Sequence, residues 1–188
     1  HTRSTLQSRG LGDVYKRQAL QWHAIADEAG TLPVFPASGD LHAQTDSLLQ
    51  KHQYIVIDCP PSVHAPQTSA ALEISHMALV PVQPSPMDLW ATAHIERAIS
   101  SARETNPSLR AMLVINQLEI RTTLSRLVRE ALDVIALPVA DTALRRRAIY
   151  RNSALEGRSV FDMGRSGLDA VTEIDQLIQE VRQHDNHG

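Results

Sequence analysis

Short apolar runs recur along this chain, separated by longer segments whose apolar residues return every three or four positions. The first pattern predicts strands buried on both faces and the second predicts helices with one apolar stripe. The strands expected are Leu32–Phe35, Tyr54–Asp58 (YIVID), Met77–Val82, Ala111–Asn116 (AMLVIN) and a fourth core run in Val134–Val139. Between them fall helices at Ala19–Ala29, stopped by Gly30, and from Leu41 to about Lys51 after the turn Ser38–Gly39–Asp40. Further helices are expected at Thr68–Ser75, from Asp88 to Arg103, at Thr123–Asp133, and from Leu168 to about Arg182. The Asp88–Arg103 segment places Ala91, Ile95, Ala98, Ile99 and Ala102 on one face; the last helix turns Val171, Ile174, Ile178 and Val181 inward. The alternation predicts an α/β domain, a mostly parallel sheet with helices on both faces.

Residues 1–18 break this regularity. They show no periodicity, and Gly10 and Gly12 punctuate them. GLGDVYKRQ resembles read-through of adapter DNA at the end of an assembled sequence, so 1–18 is expected to be a non-native or disordered tail. A partial α/β domain then spans 19–183, and 184–188 is a polar tail. Arg3, Arg9, Lys16 and Arg17 against Asp13 give 1–18 a charge of +3, so the remainder of a chain of net charge −3 carries −6. That balance excludes a protein that is basic throughout. The 43% hydrophobic content over 188 residues suits one globular domain, and no apolar stretch approaches the length of a membrane span. With Cys59 as its one cysteine the chain has no internal disulfide, which fits a reducing cytoplasm.

In a parallel sheet, chemistry gathers beyond the carboxyl ends of the strands. YIVIDCPPS drives Asp58 to such a tip, and Pro60 and Pro61 then stiffen an extended exit. An isolated strand-end aspartate is as readily a cap or turn-former. Here it is followed, after a helix, by ALVPVQPSPMDLWA, then by Leu113–Asn116 and LPVADTALRRRAIYRNSALEGRSVFD, with Ala19–Leu20–Gln21–Trp22 upstream. This ordered set resembles the ParA/MinD family of deviant Walker ATPases over about Ala19 to Val181, with Val80–Ala91 most similar to the plasmid-partition branch. The resemblance implies a P-loop fold and ATP with Mg²⁺ as cofactors. It makes Asp58 the catalytic and metal-ordering carboxylate and Pro60–Pro61 the switch. Asn116, at a strand end, becomes the amide that reads adenine; a strand-end turn explains it equally.

The front of that family is missing. No Gly-Lys pair occurs anywhere, since Lys16 follows Tyr15 and Lys51 follows Gln50. Without the glycine-rich loop, nothing supplies the amides and charge that phosphates need. The domain is therefore expected to lack the first βα unit, through truncation of the record rather than evolved loss. Arg145, Arg146, Arg147 and Arg151 stand in a stretch with no acid, from 142 to 155. A solvated helix face is one reading; a nonspecific DNA surface, which the resemblance favours, is the other. The nine histidines show no ligand spacing, Cys59 has no recognisable base, and Trp22 and Trp90 are expected to pack the core or its edge.

Two functions follow. One is a partition ATPase for plasmid or chromosomal DNA, cytoplasmic and nucleoid-associated. It forms an ATP-dependent homodimer, binds nonspecific DNA, and is stimulated by a centromere-binding partner. The other is a non-enzymatic relative that only contacts DNA or a partner. The polar tail RQHDNHG, with no amphipathic membrane helix, sets both apart from a membrane-bound positioning ATPase.

Overall fold

The computed structural model describes residues 3–8, 18–26, 33–37, 39–119, 132 and 135–186. Its strands are β1 (Arg3–Ser8), β2 (Val34–Ala37), β3 (Tyr54–Asp58), β4 (Met77–Val82) and β5 (Arg110–Ile115). The helices are α1 (Gln18–Ile25), α2 (Leu41–Leu49), α3 (Pro66–Ile74), α4 (Pro86–Thr105), α5 (Ala148–Leu155) and α6 (Leu168–Asn186). The expected α/β architecture with parallel pairing is present. Every strand pair is parallel: β2-β1-β3 form one sheet and β4-β5 another.

β5 anchors the core. Five consecutive residues, Ala111 to Ile115, are buried. Ala111, Leu113 and Ile115 pack with Val82, Ile99, Ala102 and Leu137 on one side. Met112 and Val114 pack with Ala140 and Leu177 on the other. The two-residue period of a strand thus divides one apolar run between α4 on one face and α6 on the opposite face.

Helix starts follow from local chemistry. Asp40 accepts from the backbone N–H groups of His42 at 2.9 Å and Ala43 at 3.3 Å, capping α2. Ser85 caps α4: its Oγ accepts from Asp88 N at 3.1 Å and donates to the Asp88 carboxylate at 2.9 Å, with Pro86 at the first helical position. The Ser-Pro-x-Asp sequence is therefore a helix-start device. Asn106 then ties the ends of α3 and α4 together, its amide donating to the carbonyls of Leu72 and Ser75 at 3.0 and 2.8 Å.

Several expectations need correction. Residues 3–8, read as part of a tail, form the middle strand of their sheet; Thr5 lies opposite Val34 on one side and Val56 on the other. A ladder of backbone hydrogen bonds needs no apolar alternation, which is why the sequence pattern is silent there. Of the expected fourth strand, Val134–Val139, the described residues 135–139 form no strand. Only Val139 bridges Leu113, because Pro138 has no N–H for a ladder and the segment bends at 135–137. β3 is not buried on both faces: Tyr54 is 44% exposed and Val56 55%. Trp90, expected to pack, is 69% exposed on α4. In α6 the buried stripe is Ala170, Glu173 and Leu177, with the expected Val171, Ile174, Ile178 and Val181 half-buried beside it. The helix expected at Thr123–Asp133 lies outside the described residues apart from Leu132, which is buried in the core.

Candidate functional site: the carboxyl ends of β3 and β5

Asp58 ends β3 with its residue exposed at the tip. The chain leaves through Cys59, Pro60 and Pro61 and turns at Ser62, whose carbonyl accepts from Ala65 N at 3.1 Å and from Thr68 Oγ1 at 3.0 Å. Pro66 then opens α3. The two prolines thus lie between the carboxylate and the start of α3. The end of this loop touches α4: the rings of His64 and His94 meet edge to face at 5.8 Å.

Cys59 lies at the surface, yet its thiol is pushed up to about 11, first by partial desolvation of the sulfur and second by the neighbouring Asp58 charge. Relative to the ordinary thiol value of 9.0, that leaves about a hundredfold less thiolate at neutral pH. Iodoacetamide at pH 8 is expected to label Cys59 about a hundredfold more slowly than a free peptide thiol, and Asp58→Asn should speed the reaction. Labelling at the peptide rate, followed by mass spectrometry, would show that the thiol is reactive after all.

Asn116 follows β5, and its backbone N–H donates to Val82 O at 2.8 Å. Its side-chain Oδ1 accepts from Gln117 N at 2.9 Å, where Gln117 takes a positive φ of 56°. The amide oxygen is therefore committed to a strand-end turn, while the residue still lines a cleft of about 380 Å³. Arg145, Arg146, Arg147, Tyr150 and Arg151 line the same cleft. The structure thus brings together Asn116 and the arginines, which the sequence assigns to two different ligands. Asp58 does not line it.

Three of the four arginines are held by carboxylates. Arg147 meets Glu173 through Nη2 at 2.8 Å and Nε at 3.1 Å, and Asp169 through Nη1 at 2.9 Å. Arg145 donates its backbone N–H to Glu173 at 3.2 Å and brings Nε within 3.5 Å of the same carboxylate. Arg146 pairs with Glu119. Glu173 itself is 8% exposed, and the Tyr150 hydroxyl also reaches it, at 3.3 Å. Bonding to Glu173 raises the Arg147 pKa, and burial together with Glu173 pushes Tyr150 up to about 12. Arg151 is exposed and in no ion pair among the described residues. Sequence reasoning missed Glu173 and Tyr150. The available signal was an acid at the i+3 position of the Ala170–Glu173–Leu177 stripe, since an acid in an apolar stripe needs a buried partner.

Among the described residues no group of three or more His, Cys, Asp or Glu is placed to hold a metal ion. Nor is any described helix long and apolar enough to cross a membrane.

The chain is 44% identical over 130 residues to the maintenance of carboxysome distribution protein A of Halothiobacillus neapolitanus, a match covering 69% of this chain and 60% of that protein. A ParA family protein of Mycoplasma pneumoniae is 26% identical over 87 residues, covering 46% of this chain and 32% of the relative. The sequence likeness of the chain is thus to ParA-type proteins. Its fold matches that of the MinD cell division protein of Aquifex aeolicus with a TM-score of 0.63 at 13% identity, over 95% of this chain and 84% of that one. No family model matches it. The chain thus spans less than two thirds of the curated relatives it matches.

The family's cofactors fit these residues in part. An exposed carboxylate at a parallel-strand tip suits a water-bridged Mg²⁺, and Asn116 borders a cleft of nucleotide-base size. A triphosphate is not served, because the sequence holds no Gly-Lys pair.

Proposed function

We propose that this chain is the larger part of a ParA-type ATPase that distributes a bulky intracellular cargo, working as an ATP-dependent dimer on nonspecific DNA. The observation that carries the reading is Asp58 at the tip of β3, followed by the stiff Cys-Pro-Pro exit, in a chain 44% identical to a carboxysome distribution protein. Asp58 would order Mg²⁺ and its water, Pro60 and Pro61 would transmit the nucleotide state, and Asn116 would border the base. The cargo is a carboxysome-like body or a plasmid or chromosome, and a cargo-bound partner would stimulate hydrolysis. The setting proposed is the cytoplasm, at the nucleoid.

The chain as it stands should bind ATP weakly, since the phosphate cradle is not in its sequence. Isothermal titration with ATP and Mg²⁺ is expected to show no micromolar binding by the 188 residues. The same chain preceded by a phosphate-loop unit should bind. Failure of the extended chain to bind would favour the second reading, a non-enzymatic DNA- or partner-binding relative.

For DNA, the ion pairs sort the arginines. Arg147 is occupied by Glu173 and Asp169, whereas Arg151 is exposed and Arg146 pairs with the exposed Glu119. Arg146 and Arg151 are therefore the members proposed to meet phosphates, with Arg145 beside them. Replacing both with alanine in the ATP-bound dimer should flatten the log–log salt slope of random-duplex binding by about 2, roughly 0.9 per lost phosphate contact. An unchanged slope in anisotropy titrations would return the cluster to a solvated face.

A further inference from the structure

The carboxylates that meet the arginines differ in how readily a ligand could take their place. The Glu173 side chain is 11% exposed and meets Arg147, the Arg145 backbone N–H and the Tyr150 hydroxyl. A carboxylate so placed is fixed, because releasing it would leave its partners buried and unpaired. Asp169 joins an arginine that Glu173 already holds. The Arg146–Glu119 pair is of another kind. Its side chains are 58% and 53% exposed, so water screens the attraction and the pair adds little to stability.

The backbone nevertheless fixes where this weak pair forms. Leu118 N donates to Leu144 O at 2.9 Å, and Arg146 N donates to Leu118 O at 3.0 Å. Leu118 and Arg145 are thereby bridged in parallel, and Glu119 and Arg146 are the residues directly after them. Leu118, Glu119, Arg145, Arg146 and Arg147 line a cleft of about 370 Å³, more room than a phosphate group needs; Asn116 and Tyr150 do not line it. In that cleft Arg146 Nη1 donates to Glu119 Oε1. A phosphate oxygen would accept the same charge-assisted bond. The four arginines Arg145, Arg146, Arg147 and Arg151 stand with three carboxylates, Glu119, Asp169 and Glu173, leaving one net positive charge among them; without Glu119 there would be two.

We propose that Arg146 is a phosphate seat held closed by Glu119, and that an incoming phosphate displaces this carboxylate. A phosphate approaching Arg146 meets the negative charge of Glu119 and must take its place or be repelled. The weakness of the pair is what such a latch requires, since a dry pair like Arg147–Glu173 would not yield to a ligand in water. Its backbone anchoring returns the carboxylate to the seat when the ligand leaves. The ligand class is a phosphate ester or diester, carried by duplex DNA or by a small phosphate. Naming duplex phosphates rests on the DNA reading of Arg146; the closing of Arg146 by Glu119 does not.

The test compares the 188-residue chain with Glu119→Gln, Arg146→Ala and the double variant, each checked for an unchanged melting temperature. Phenylglyoxal condenses with accessible guanidinium groups, and mass spectrometry reads the product at each arginine. Arg146 is expected to react about threefold faster in Glu119→Gln, the scale of an exposed ion pair. Arg151, exposed and in no ion pair among the described residues, should keep its rate. Binding of random duplex at low salt, followed by anisotropy, should tighten about fivefold in Glu119→Gln as the freed guanidinium joins the phosphate contacts. In the Arg146→Ala background the same substitution should change affinity less than about twofold, whereas a general loss of negative charge would act in both backgrounds. Inorganic pyrophosphate is the second arm. If it protects Arg146 from phenylglyoxal better in Glu119→Gln while duplex binding is unmoved, the latch holds and the DNA reading of Arg146 fails. Unchanged Arg146 reactivity in folded Glu119→Gln would overturn the proposal. So would equal tightening in both backgrounds, or faster labelling with neither pyrophosphate nor duplex responding to the substitution.

Discussion

Glu173→Ala is expected to destabilise the chain by about 3–5 kcal/mol, the usual cost of removing one partner from a buried ion pair. Glu173 sits between Ala170 and Leu177 in the buried stripe of α6, with its side chain 11% exposed. Its two oxygens accept from Arg147 Nε and Nη2, from the Arg145 backbone N–H and from the Tyr150 hydroxyl. Removing them strands a guanidinium that is only 23% exposed and keeps Asp169 alone, whose own side chain is 75% exposed and screened by water. Urea unfolding reads the loss. The double variant Glu173→Leu/Arg147→Met should recover most of it, since a packed apolar pair replaces a buried ionic one at little cost. A loss below about 1 kcal/mol in Glu173→Ala would mean that water reaches the carboxylate freely.

The same network sets an alkaline limit. Tyr150 has its pKa raised from 10.0 to about 12 in the folded chain. A raised folded value means that the neutral phenol is favoured by folding. Its contribution is complete below pH 10 and is lost as pH rises from 10 to 12. Tyr150→Phe should flatten the stability profile in that window while leaving its acid side unchanged.

Most of the fold was legible because its strongest signals are local. YIVID and MALVPV are apolar runs bounded by turn residues, and both strands fall where the pattern puts them. Asp88 and Arg103 lie within a helix whose start moves to Pro86, because Ser85 supplies the cap and a proline fits the first turn. What was not legible depends on partners far away in sequence. Nothing within Arg145–Arg151 tells that Glu119, Asp169 and Glu173, 22 to 28 residues away, come back to meet these arginines. An acid-free window of sequence is therefore not an acid-free surface. Asp58 shows the opposite case. Its proposed role rests on a strand tip followed by two prolines, which are neighbours along the chain. The strand Arg3–Ser8 lay beyond pattern reading for another reason: parallel pairing uses the backbone that every sequence has.

Gly157→Ala should cost about 3 kcal/mol, the second large effect, from two causes that can be separated. Gly157 ends α5 with φ +66°, its N–H donating to Ala154 O at 3.2 Å while Arg158 N donates to Ser153 O at 2.8 Å. This double bond pattern is the helix stop that places a left-handed residue after the last turn. A Cβ there carries the left-handed penalty of about 1–2 kcal/mol. It would also stand 2.6 Å from Ala26 N and 2.7 Å from Ala26 Cα, backbone atoms that cannot rotate away. So α1 would have to lift off, breaking the 3.4 Å contact of Trp22 Nε1 with Arg158 O. The glycine of the Gly-Arg-Ser-Val run is thus a contact surface for α1 as well as a helix stop. Gly39 provides the comparison: its φ is +70°, and nothing lies within 4 Å of an added Cβ. Gly39→Ala should therefore lose only the conformational part, about 1 kcal/mol. In a Trp90→Phe background, Gly157→Ala should also shift the Trp22 emission to the red as the indole is wetted, and Gly39→Ala should not. Equal losses in the two variants, with Trp22 emission unmoved, would show that α1 does not rest on Gly157.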